Sequence, residues 1–369
     1  MNRLILIGNG FDLAHGLKTS FNDFISDYFC NAINTFYNDN VYEDELLEIS
    51  WKGSHYYFDK IPKLVSKLDV YEKADQLIKS PNFNFDFKSP LLRNVFNKTS
   101  ILKWVDLEVE FFNLLIATKN AYKNSNLQEA IQKLNSQLEY LKLKLVDYLK
   151  LQESSFSNNF DKKPLVKCFT DKIYKHEIVT TNLEEDILPE NIYFLNFNYT
   201  NTFEDYFRIV KKQIPSSFNY IHGSLSEIHG KPIFGFGDEF DKKYLEFEDE
   251  KNNDLFKHIK SFEYLRTKNY YLLTRFIEAD DFQVQIFGHS CGVSDRTMLN
   301  QIFEHENCKS IKIFYYKLNE DFDDFTDKTY EISRHFKDKG MLRKKLIPRD
   351  LSQEMPQPKV LSKTTVHRQ

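Results

Sequence analysis

Behind Arg3, the run Leu4-Ile5-Leu6-Ile7 stops abruptly at Gly8-Asn9-Gly10. A run this short and this rich in large aliphatic side chains reads as a strand buried on both faces. It therefore belongs in a parallel sheet covered by helices. Glycines at 8 and 10 allow a tight turn and close approach of the backbone to a neighbour or a ligand. The loop Gly8-Asn9-Gly10-Phe11-Asp12 leads into a helix, and its N–H groups can receive a phosphate. Leu13 stands where the full dinucleotide fingerprint has its third glycine, so a plain strand-to-helix turn explains the same residues.

The rest of the chain alternates in the same sense. Thr19 or Ser20 caps a helix that places Phe21, Phe24, Ile25 and Tyr28 on one face. Residues 35–100 are rich in Asn, Asp and Lys, and read as irregular loops and short helices, with an alternating stretch at 82–87. An amphipathic helix opens at Trp104. A second covers roughly 126–152, with Leu127, Ile131, Leu134, Leu138, Leu141, Leu145 and Leu149 at three- and four-residue steps. Strand signals return at 192–197, 219–223, 232–237, 282–288 and 310–316.

The spacing predicts a doubly wound, mostly parallel α/β sheet. Its nucleotide-binding core is discontinuous, residues 1–34 and 185–340. A mainly helical insertion occupies 35–184, and 341–369 forms a loose polar tail.

Composition narrows the function. With 54 acidic against 50 basic residues the net charge is -4, which gives no general basic surface for nucleic acid. Cys30, Cys168, Cys291 and Cys308 lie far apart and share no metal-ligand spacing. The N-terminal run has no signal-peptide pattern, and no stretch reaches the length of a membrane span. The expected setting is the cytoplasm.

Polar, Gly-containing segments follow the predicted strands, where such sheets bind ligands. Asn196, Asn198 and Asn201 end one strand; they can hold a ribose hydroxyl or a water, or simply form a turn. His222 precedes Gly223 and could serve as a general base. A second Gly/Ser loop, Gly288-His289-Ser290-Cys291-Gly292 with Ser294 and Asp295, could line the same ligand. Asp106 and Glu108, after Trp104, suit the first turn of a helix, although either could instead face a pocket.

Three stretches carry a family resemblance. They are the opening residues 4–24, the Trp104-x-Asp106-Leu107-Glu108 segment, and the series Phe197–Thr200, Ile221–Gly223 and Gly288–Asp295. Together they resemble the bacteriophage abortive-infection family AbiH across residues 1–305. The same series is similar to a remote sirtuin-like, Rossmann-like nucleotide-binding core.

That resemblance implies an anti-phage effector that hydrolyses NAD at the nicotinamide–ribose bond, with Asn198 and His222 catalytic. It implies that Gly8, Gly10, Gly288 and Ser290 line the nucleotide, and Asn9, Phe11, Asp12, His289, Ser294 and Asp295 fall in the same two loops. NAD is the expected substrate or ligand, and no metal is predicted.

Two other readings stay open. One is a module that senses NAD or ADP-ribose without turnover. The other is a metal-dependent nuclease using His222, His289, Asp12 and Asp295. Expected partners are a small-molecule nucleotide, a phage trigger protein and further copies of the chain. No membrane is expected, and nucleic acid stays open.

Overall fold

The computed structural model describes residues 1–52, 66–67, 69–98, 104–121, 126–180, 183–239 and 241–361, without the side chains of 104–106. Among the described residues, nine strands lie in two sheets. They are β1 (Asn2–Ile7), β2 (Val41–Glu43), β3 (Leu47–Trp51), β4 (Phe83–Phe87), β5 (Ile192–Asn196), β6 (Ser216–Tyr220), β7 (Phe282–Phe287), β8 (Cys308–Tyr315) and β9 (Gln353–Glu354).

The main sheet has the order β6-β5-β1-β7-β8-β9, and every pairing in it is parallel. Counted along the chain this is the 3-2-1-4-5-6 order of the Rossmann fold. The chain winds outward from β1 to β6, then crosses back to β7 on the other side of β1. The order in which strands are added across the sheet therefore reverses between β1 and β7, and the loops after these two parallel strands meet there.

Burial explains why β1 is apolar at successive positions. Leu4 and Leu6 pack on one face with Val284, Ile286, Leu299 and Ile313. Ile5 and Ile7 pack on the other with Phe169, Phe194, Tyr206 and Phe287. Helices Asn269–Ala279, Arg296–Glu304 and Phe325–Arg334 cover the first face. Helices Lys163–Thr170 and Glu204–Val210 cover the second. The expected doubly wound α/β core is present.

A third core gathers buried residues of 21–149 together with others from 225–259. Helix Phe21–Asp39 starts in a capping box, with Ser20 Oγ accepting from the Asp23 N–H and the Asp23 carboxylate accepting from the Ser20 N–H. Its buried face joins Leu47, Ile49, Leu92, Phe111, Phe112 and the buried leucines of helix Leu127–Ser155.

Four expectations need correction. The region read as irregular loops and short helices contains an antiparallel sheet, β2-β3-β4. In β4, Phe83, Phe85 and Phe87 recur at every second residue and pack with Phe36, Trp51, Phe29 and Phe96. The intervening Asn84 and Asp86 hide that strand in a polar composition.

The insertion also ends before 184, because Leu165, Val166 and Phe169 belong to the core of the main sheet. The tail is built as far as residue 361. Helix Lys339–Lys345 is followed by β9 alongside β8, and Met355 is buried. Residues 232–237 make no strand, only one bridge from Phe236 to Ile259.

Candidate functional site at the strand switch point

The glycine turns after β1 and β7 interlock. Gly8 N–H donates to Phe287 O at 3.0 Å, and Gly10 N–H to Gly288 O at 2.8 Å. A Cβ at Gly8 would lie 2.4 Å from His289 Cα, and one at Gly288, where φ is +69°, would lie 2.2 Å from Phe11 N. The glycines thus serve backbone-to-backbone packing. Phe11 N–H closes onto Gly8 O at 2.9 Å, so the N–H groups of Gly8, Gly10 and Phe11 are all engaged by backbone carbonyls.

Around this joint stand two polar knots. In the first, Asn198 Nδ2 donates to Gly8 O at 3.0 Å, and Asn196 holds the Asn198 backbone through both ends of its amide. Thr200 Oγ1 donates to Asp12 Oδ2 at 2.5 Å, and Thr19 Oγ1 to Asn9 Oδ1 at 2.6 Å. Asp12 is buried, and among the described residues no cation pairs with it. Burial pushes its pKa up to about 6, against the pull of Thr200. The Phe11 ring is core, set edge-on to Tyr206.

The second knot is ionic. Lys260 Nζ lies 3.0 Å from Glu108 Oε2 and 2.8 Å from Asp295 Oδ1. His222 Nε2 lies 3.2 Å from the same Asp295 oxygen and 3.0 Å from Tyr264 OH. The second Asp295 oxygen is 3.8 Å from His289 Nε2. His289 Nδ1 accepts the Cys291 N–H at 3.0 Å, which leaves the ring proton of the neutral form on Nε2, facing Asp295. The His289 ring rests on Phe197 at 3.9 Å, and Gly235 N–H binds Glu108 Oε1 at 3.1 Å. All six polar side chains are buried.

Environment separates the two carboxyl groups. Burial opposes ionisation of Asp295, but Lys260 and then His222 overcome it and hold this acid far below the ordinary range. Glu108 goes the other way, raised chiefly by burial despite Lys260. Burial pushes His289 down to about 3, so it stays neutral. Two acids with opposite shifts in one site are the arrangement that divides proton donor from charge stabiliser.

The sequence-predicted residues thus fall into two neighbouring groups. His222, His289 and Asp295 come together in the ionic knot. Asn9, Asp12 and Asn198 lie in the other, joined to the first where Gly8 meets His289. Ser294 is buried beside Asp295, whereas Ser290 is exposed.

Of the two acids weighed at the start of the helix Trp104–Ala121, Glu108 enters the site; the Asp106 side chain lies outside the described residues. Lys260 and Tyr264 carry no motif, and sequence reading missed them. The available signal was a lysine and a tyrosine four residues apart, which share a face when helical.

Among the described residues, no group of three or more His, Cys, Asp or Glu side chains could hold a metal ion. No helix of the described residues is long and apolar enough to cross a membrane. No curated protein matches the chain. The family model for bacteriophage abortive infection AbiH matches residues 4–317, and the chain belongs to that family.

Proposed function

We propose that this AbiH-family chain is an anti-phage effector that hydrolyses NAD at the nicotinamide–ribose bond. One observation carries the reading: an ionised Asp295 and a raised Glu108 share a buried site with His222 at the switch point of a Rossmann-ordered sheet. Cleavage of an N-glycosidic bond builds positive charge on the ribose, as in other glycoside hydrolyses. A fixed, desolvated carboxylate is the group that stabilises such charge.

In this reading Asp295 faces the oxocarbenium-like ribose. His222, oriented by Asp295, takes the proton of the attacking water. Asn198 positions the loop of residues 197–202 through its bond to Gly8. The leaving nicotinamide departs neutral, so no strong acid is required. A phage product would be the trigger. The nuclease reading draws no support from Asp12, which is bonded to Thr200 in the other knot.

The test is nicotinamide release from NAD by the purified full-length chain, with and without lysate of phage-infected cells. Asp295→Asn and His222→Ala should each lower the rate at least about a hundredfold, the usual effect of losing one such group. Absence of nicotinamide under every condition, with NAD recovered intact, would overturn the proposal.

A further inference from the structure

The ionic knot contains a contradiction, if it is the site of the proposed reaction. Two carboxylates suited to a substrate's positive charge already hold one, the Lys260 ammonium, at 2.8 and 3.0 Å. A cationic nicotinamide riboside brought beside that ammonium would be repelled. Tyr264 OH lies 3.0 Å from His222 Nε2, the nitrogen that also meets Asp295, and its ring lies parallel to the imidazole, centroids 6.0 Å apart, with a 3° interplanar angle. Glu108, His222 and Asp295 are each only 6% exposed.

Both blocking groups come from one element. Helix Lys260–Tyr264 is a single turn, and residues four apart share its face. That face is inward, with Lys260 2% and Tyr264 6% exposed. Between and beyond them, Phe262 and Leu265 point outward, 45% and 79% exposed. Lys260 N–H holds Phe236 O at 2.9 Å.

We infer that the turn Lys260–Tyr264 is an autoinhibitory plug: it fills the place of the substrate cation with Lys260, covers His222 with Tyr264, and must withdraw before turnover. The inference rests on the proposed NAD reading for what the plug excludes. The withdrawal itself is measurable without any substrate.

The experiment uses the full-length chain and diethyl pyrocarbonate, followed by mass spectrometry at His222, with exposed His176 as internal reference. Tyr264→Phe keeps the ring and the fold and removes one hydroxyl. Lys260→Gln removes the ammonium. Labelling of His222 should rise about fivefold in Tyr264→Phe, the shift of an opening equilibrium by one hydrogen bond, and about tenfold or more in Lys260→Gln, which loses the two charge-assisted bonds to Glu108 and Asp295. Amide exchange across 259–265 should quicken in parallel, and nicotinamide release without a trigger should exceed that of the wild type.

Wild-type His222 labelled as fast as His176 would overturn the plug. So would labelling and exchange unchanged in both variants. Faster labelling with no nicotinamide from any variant supports the plug and counts only against the NAD reading.

Discussion

A methyl group on Gly8 would sit 2.4 Å from His289 Cα, and backbone cannot swing aside as a flexible side-chain end can. Gly16 has the opposite situation: φ is +80°, but nothing lies within 4 Å of its would-be Cβ. The two substitutions therefore separate clash from conformational strain. Gly16→Ala should cost about 1–2 kcal/mol, the ordinary cost of a left-handed Cβ. Gly8→Ala should cost about 4 kcal/mol or more, because the two switch-point loops must part. Urea unfolding of both variants measures this, and equal losses would refute the interlock. Residue identities such as Gly8, His222 and Asp295 were legible in the sequence because they interrupt apolar strands. Their partners were not: Lys260 is 35 residues from Asp295 and 152 from Glu108 in sequence, and no local pattern encodes such a meeting.

At the scale of elements, the insertion is tied to the site through the helix Trp104–Ala121. One turn after Glu108, Phe112 stacks on Phe236 with ring centroids 4.0 Å apart and planes within 8°. The stack fixes the depth at which Glu108 reaches Lys260 and Gly235. Phe112→Ala should lose about 3–5 kcal/mol, the usual effect of emptying an aromatic core position, and should free Glu108 along with it. Thermal or urea unfolding checks the first outcome. A nicotinamide-release rate altered only in step with the folded fraction would argue against the second. The long leucine-lined helix was readable from its period, and it appears as Leu127–Ser155. Strand β4 was obscured because its phenylalanines alternate with Asn and Asp, so the composition of a loop conceals the period of a strand.

Four buried histidines are held neutral across the molecule. Burial pushes His15, His258 and His335 each down to about 4, and His289 to about 3. In the unfolded chain they would take a proton near pH 6.5. Between pH 6.5 and 4 the unfolded state therefore binds more protons, and stability falls as the pH falls. Each contributes about 3 kcal/mol by pH 4.

Asp12 acts with the opposite sign. Its pKa, raised to about 6, gives stability at low pH that is lost as pH rises through that value. One acid does not offset four histidines. Urea midpoints should drop steeply from pH 7 to pH 4.5, and Asp12→Asn should make the drop steeper. A flat profile would contradict the neutral state of these histidines.

Sequence alone settled the class of fold, because a run of four large aliphatic residues is stable only where both faces of a strand are covered. It also singled out the loops after the strands, because glycine and polar residues interrupt such runs only at turns. What tertiary structure decided was the company those loops keep. Strand order, which follows from how the crossovers pack, brings the β1 and β7 turns into contact. Contacts spanning 35 and 152 residues then join Lys260 to Asp295 and to Glu108, and no local periodicity specifies a partner at that distance.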